Sequence, residues 1–515
     1  MCDQLRADYL SCYGHPTLHT ANIDSLAERG VRFEKAYCQA PVCGPSRMSF
    51  YTGRYVASHG ATWNFVPLPL GERTLGEYLR PHGVRTAVVG KTHFEADAEG
   101  LARAQVASES ESGRLLAEGG FEPYARHDGI YPDGKEWSDI PYNVYLRGNG
   151  YGGDNPWHDY ANSAIGAGGE LLSGWSMRNA RFPARASTEH SETAWTTDRA
   201  IAFMEEQADR RWCLHLSYIK PHWPYIATAP YHCMFGSADC LPVARDPREA
   251  ADDHPVYRAF RAHPESTAFS RTEVRDSVVP TYMGLVRQVD DQLGRVFACM
   301  DRLGRWEDTL VVFTSDHGDY LGDHWLGEKE LFYEQSVRIP LIVFDPVADA
   351  TRGTAAASIV EAIDLVPTFL DALEIPCRRD LLEGKSLLPA LRGLTTKADP
   401  GAAAFAELDY ALYPAARELR LGPAQARAVM IRTERWKLVH YDGFRPQLFD
   451  LERDPGETID LGGAAGLSAV RNDLYERLFA WTRRRKNRIG LSDAALREIG
   501  DRTRPKGLAV RIGEW

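Results

Sequence analysis

Thr309-Leu310-Val311-Val312-Phe313-Thr314-Ser315-Asp316-His317-Gly318 decides the fold. Up to Thr314 the residues form an apolar, β-branched run of strand length. The four that follow make a polar turn with a carboxylate and an imidazole. In open α/β sheets, ligands bind at the carboxyl edge of the strands, which is where this turn falls.

Upstream, residues 278–303 read as a helix, with Tyr282, Leu285, Val286, Val289, Leu293, Val296 and Met300 on one apolar face. Downstream, residues 339–344 read as a buried strand and 359–373 as a helix. The same alternation runs toward the N-terminus. Residues 22–29 form a helix stopped by Gly30, and 43–52 form a helix with Pro45 near its start and Gly53 after it. Residues 74–80 form a helix capped by Thr74, 86–89 a strand, 194–207 a helix and 212–218 a strand. Alternating strands and helices predict an α/β fold with a large, mostly parallel central sheet flanked by helices.

Two regions break the pattern. Residues 100–190 are rich in Gly, Ser, Asp, Asn and aromatics, and read as an insertion or lid that sets substrate choice. Trp137, Tyr142, Tyr145, Tyr151 and Trp157 either line a pocket there or pack among themselves. Beyond about residue 395, 429–439 and 447–451 look like antiparallel strands. The chain divides into a catalytic domain (1–390), a small C-terminal α+β domain built on an antiparallel sheet (391–485) and a tail (486–515) expected to wrap a partner subunit.

Among 515 residues the net charge is −11, which argues against nucleic acid as a partner. It leaves room for a local cationic pocket and an anionic substrate. No apolar run reaches membrane-spanning length and no leader pattern precedes the domain. Nine cysteines without a framework spacing fit a reducing cytoplasm. Met1-Cys2-Asp3-Gln4 reads as the end of a strand. The expectation is a start upstream of Met1 or, failing that, a sheet short of a central strand beside Asp3.

Polar clusters fall just past predicted strands: Asp3-Gln4, Lys91 and His93, His222, and Asp316-His317. Asp3, Gln4, Asp316 and His317 suit one hard divalent cation. Arg47, Lys91, His93, His222 and Lys329 would surround an anion with positive charge and donors.

Cys43-Gly44-Pro45-Ser46-Arg47 matches the Cys-x-Pro-x-Arg signature of sulfatases. Asp3-Gln4-Leu5-Arg6 resembles the family's first metal turn, Gly90-Lys91-Thr92-His93 its Gly-Lys-x-His element, and Ser315-Asp316-His317-Gly318 its second metal turn. Leu448-Phe449-Asp450-Leu451 resembles the C-terminal hairpin. The order and spacing resemble the sulfatase family, of the alkaline phosphatase superfamily, over nearly the whole chain. The closest branch is that of phosphonate monoester hydrolases and dimeric arylsulfatases, on the segment from Leu214 to His232 and the run from Val286 to Phe297.

The resemblance implies an alkaline-phosphatase-like fold. It implies a formylglycine made from Cys43 by a formylglycine-generating enzyme, and one divalent metal: Ca²⁺ first, Mn²⁺ or Mg²⁺ otherwise. In this picture Asp3, Gln4, Asp316 and His317 hold the metal. Arg47, Lys91 and Lys329 neutralise the ester anion, His222 or His93 protonates the leaving group, and Asn64 lies near the transferred group. Lys91 and His93 stand where phosphonate monoester hydrolases carry hydroxyl-bearing residues. The expected activity is therefore hydrolysis of small anionic sulfate esters, with phosphonate monoesters or phosphodiesters as the alternative, by a cytoplasmic homodimer or homotetramer. A non-catalytic binding protein is disfavoured by the full set of polar residues.

Overall fold

The computed structural model describes residues 1–132, 139–207, 210–250, 254–394 and 401–486, with positions 494, 495 and 498. Eight strands form the central sheet: β1 (Cys2–Asp3), β2 (Val31–Tyr37), β3 (Arg85–Gly90), β4 (Glu122–Arg126), then, beyond a small hairpin of β5 (Ser163–Ile165) and β6 (Leu171–Ser173), β7 (Trp212–Pro221), β8 (Val311–Thr314), β9 (Arg338–Phe344) and β10 (Thr354–Glu361). A parallel bridge between Cys2 and Ser315 joins the halves in the order β10-β2-β9-β8-β1-β7-β3-β4. Only β9 runs against the others. Apolar strands shielded on both faces by helices are what a parallel sheet requires.

The helices that cover it follow the sequence reading. They include α1 (Ala21–Arg29), α2 (Cys43–Thr52), Glu192–Glu206 and Thr272–Arg302. Thr74 caps Leu75–Leu79 in a reciprocal box with Glu77. Residues 359–373 depart from expectation. Ile359 and Val360 belong to β10, paired with β2, and the helix spans Leu365–Ala372. Pairing of β-branched residues along an open sheet edge overrides the local helical pattern.

The region 100–190 is also not wholly an insertion, because β4 is an outer strand of the central sheet. Pro123 hides it in the sequence, yet an edge strand tolerates a missing donor. Tyr142 and Trp157 are core residues packed with His127 and Trp195, and Tyr145 and Tyr151 flank them. These aromatics pack on one another. Trp137 lies outside the described residues, as does nearly all of the tail 486–515.

A second, antiparallel sheet follows: β11 (Ala404–Asp409), β12 (Arg427–Arg432), β13 (Trp436–Tyr441) and β14 (Gln447–Asp450). Its residues share one core with β2 and β9, so it is docked on the central sheet. Helix Ser468–Arg484 covers its other face through Leu474 and Leu478.

β1 is short, with two residues. The edges of β7 and β8 face each other across an apolar cavity of about 850 Å³, lined by Met1, Leu214, Leu216, Val311 and Phe313 among others. The cavity lies at the end of the strands away from the polar turns. Trp212 to Leu216 and Val311 to Val312 are half-buried there, although they sit in the middle of the sheet.

Candidate active site

The carboxyl edge of the sheet gathers the predicted residues. Asp3 ends β1 and Gln4 follows it, Lys91 follows β3, His222 follows β7 and Asp316-His317 follow β8. Cys43 is the first residue of α2, whose ten residues are all buried. A helix start aimed at the site favours negative charge there. Gly44 is needed at the second position: a Cβ would stand 2.9 Å from the Asn64 backbone. Asn64 Oδ1 accepts from the Gly44 N–H at 2.8 Å, which ties it to the start of this helix.

The Cys43 sulfur is 3.1 Å from His317 Nε2, 3.7 Å from Asp3 Oδ1 and 4.0 Å from Lys91 Nζ. Burial pushes its thiol up, but Lys329, Lys91 and His317 outweigh burial and pull it well below its ordinary value. Asp3 is wholly buried and ion-paired with Lys91 and Arg47. Burial opposes ionisation, but the cations hold its carboxyl below the usual range.

Arg47 is fully buried and commits its donors to the site's own walls. Nε binds Asp316 Oδ2 at 2.8 Å, Nη1 binds Lys91 O and Ser217 Oγ at 2.8 Å, and Nη2 pairs with Asp3 at 3.3 Å. It clamps the two carboxylates, which leaves the Lys91 and Lys329 ammoniums, with His317, to act on the sulfur. Lys329 Nζ donates to Gln4 Oε1 at 2.9 Å and lies 3.2 Å from His222 Nε2.

His222 Nδ1 is 2.6 Å from Trp223 O, so that nitrogen donates and Nε2 accepts from Lys329. Burial and the neighbouring Lys329 lower its pKa to about 3. His93 stands differently. Its backbone N–H donates to Asp128 at 2.9 Å in a left-handed conformation, and its buried Nδ1 makes no hydrogen bond among the described residues. No contact brings its ring to Cys43.

One ligand atom each from Asp3, Cys43, Asp316 and His317 falls within 4.8 Å of the rest. The donor chemistry fits a hard divalent cation: two carboxylates, an imidazole and, beside them, the Gln4 amide. His317 Nδ1 donates to Gly318 O at 2.9 Å, which turns Nε2 to the carboxylates, 3.8 Å from Asp3 Oδ1 and from Asp316 Oδ1. Such a backbone partner fixes the tautomer of a metal-binding histidine.

Sequence reasoning missed several residues that build the site. Ser217 holds Arg47, Lys220 donates to Pro224 O in the turn that carries His222, and Asp128 anchors Thr92 and His93. Asp319 completes the turn that begins at Ser315. Only Asp319 carried a signal, since it is next in line after Asp316-His317-Gly318.

The similarity to known proteins agrees. A sulfatase family model matches residues 1–375, and one for the C-terminal part of N-sulphoglucosamine sulphohydrolase matches residues 322–484. The chain is 30% identical to the multifunctional alkaline phosphatase superfamily protein PehA of Trinickia caryophylli, over 99% of this chain and 98% of that one. It is 26% identical to choline-sulfatase of Rhizobium meliloti strain 1021, over 90% and 81%. Among solved structures, the phosphonate monoester hydrolase SpPMH from Silicibacter pomeroyi superposes with a TM-score of 0.83 at 26% identity, covering 95% of each chain. That of Agrobacterium radiobacter gives 0.79 at 28% identity, covering 93% and 94%. With its signature cysteine at a helix start among paired carboxylates and cations, the chain belongs to the sulfatase family of the alkaline phosphatase superfamily.

Proposed function

We propose that this protein hydrolyses small sulfate esters, using Cys43 oxidised to formylglycine and one divalent cation. The observation that carries the reading is the position of the Cys43 sulfur, within 4.0 Å of Asp3, Lys91 and His317 together. When present, the modified residue supplies an oxygen nucleophile, and the cation makes it available near neutral pH and offsets charge on the transferred group. Net, one water is consumed, the ester S–O bond breaks, and an alcohol and sulfate leave.

The chain's own residues do the rest. Asp3, Gln4, Asp316 and His317 hold the cation, with Arg47 clamping the carboxylates from behind. Lys91 and Lys329 face the sulfonate oxygens in a buried site where fixed charges act strongly. With Cys43 unmodified, Lys329 holds its proton firmly, because the Cys43 thiolate and the neighbouring carboxylates outweigh burial. His222 is neutral near pH 7 and its Nε2 accepts from Lys329, so that nitrogen carries no proton for the leaving group.

A second reading has the same machinery cleave phosphonate monoesters or phosphodiesters. The similarity to SpPMH at a TM-score of 0.83 favours it. Paired turnover of 4-nitrophenyl sulfate and an aryl phosphonate monoester, by protein co-expressed with a formylglycine-generating enzyme, separates the two. Faster sulfate cleavage, abolished by Cys43→Ala, supports the first; faster phosphonate cleavage gives the second. An unmodified Cys43 by intact mass, with no turnover, would instead leave a binding protein. The proposal includes a cytoplasmic homo-oligomer, which solution mass measurement checks.

A further inference from the structure

The side chain of Gln4 has one freedom left. Its backbone is fixed: N–H donates to Asp316 Oδ1 at 3.1 Å, C=O accepts from Tyr282 Oη at 2.9 Å, and φ is +66°. The amide can still turn end over end, because its nitrogen and oxygen are nearly equal in size. The two orientations differ chemically. The oxygen has lone pairs for a cation, and the NH₂ group has none to offer.

Two buried neighbours choose between them. Gln4 Nε2 donates to Asp319 Oδ2 at 2.6 Å, and Gln4 Oε1 accepts from Lys329 Nζ at 2.9 Å. Asp319 has no exposed surface, and donors already fill it: Tyr225 Oη at 2.6 Å on Oδ2 and the Leu321 N–H at 3.0 Å on Oδ1. Burial raises its pKa against the pull of these donors, and in its ionised form only a donor can face it from Gln4. We infer that Asp319 is a positioning residue: by accepting from Gln4 Nε2 it presents Gln4 Oε1 to the cation site. This inference rests on the proposed metal site.

Asp319→Asn makes the test sharp. The new amide keeps the Leu321 bond with its oxygen and turns its NH₂ toward Gln4, so Gln4 Nε2 loses its acceptor or flips against the Lys329 ammonium, and either way the ligand oxygen is no longer held. Gln4→Glu repairs this, because both carboxylate atoms are oxygens. Free Mn²⁺ is followed by electron paramagnetic resonance for the wild type, Asp319→Asn, Gln4→Glu and the double variant. Asp319→Asn should weaken Mn²⁺ binding by roughly 10- to 100-fold, the usual effect of losing an outer partner of a ligand. Gln4→Glu should recover most of that loss in the Asp319→Asn background and help far less in the wild type. Tyr225→Phe removes the other side-chain donor to Asp319 and should leave Mn²⁺ affinity unchanged, which separates positioning from general loss of structure. Undiminished binding by Asp319→Asn, or an equal effect of Gln4→Glu in both backgrounds, overturns the inference while the metal site stands. A wild type that binds no Mn²⁺ overturns both.

Discussion

His317 Nε2 lies 3.1 Å from the Cys43 sulfur while its Nδ1 is held 2.9 Å from the Gly318 carbonyl. The ring therefore has one nitrogen fixed by the backbone and one facing the reacting residue and both carboxylates. It competes for a proton and for a cation at the same atom.

That competition sets a pH dependence. In the protein with unmodified Cys43, burial would lower the His317 pKa, but Asp316 and the Cys43 thiolate raise it to about 9. A cation must displace this proton, so affinity should rise about tenfold per pH unit up to about 9 and then lose this dependence. Calorimetry at pH 7 in two buffers of different ionisation enthalpy counts the proton. Metal binding with none released would contradict the assignment.

Lys91 and Lys329 are the cations left facing the sulfur. Replacing either with alanine should lower kcat for 4-nitrophenyl sulfate by roughly 100- to 1000-fold, as for loss of one preorganised donor. A change of less than about threefold, in folded and Cys43-modified protein, would remove that lysine from charge stabilisation.

Glu192 should limit acid stability. It pairs with His127 at 2.9 Å, Trp157 Nε1 at 2.6 Å and Lys220 at 3.7 Å, all buried. Burial alone would raise its pKa, yet Lys220, His127 and Trp157 lower it from 4.5 to about 2. Burial also lowers the pKa of Lys220, so the donors on Glu192 carry the stabilisation. The sign follows from a depressed carboxylate. Its contribution, on the order of 3 kcal/mol, is complete above about pH 4.5 and lost as pH falls toward 2. Glu192→Gln should destabilise at pH 7 and flatten the acid limb; an unchanged acid midpoint would refute the role.

Much of the fold was legible because periodicity and position agree. The strand from Val311, the turn at Asp316 and the helix opening at Cys43 each carry a local pattern that tertiary contacts reinforce. β4 was not legible, because its Pro123 and short length look like loop, and only pairing with β3 makes it a strand. Residues 354–361 likewise become a strand because β2 offers an open edge.

The sequence by itself determined the strand-end positions of Asp3, Lys91, His222 and Asp316, and with them the carboxyl-edge site and its residue types. Those follow from local periodicity and from the rule that turns after parallel strands share one edge. The tertiary structure alone decided which way each side chain faces. It turned Arg47 onto the carboxylates, made His222 an acceptor from Lys329, left His93 aside and gave Asp319 the choice of the Gln4 atom. Orientation depends on burial and on partners hundreds of residues away, such as Gln4 and Asp319, and no local pattern encodes that.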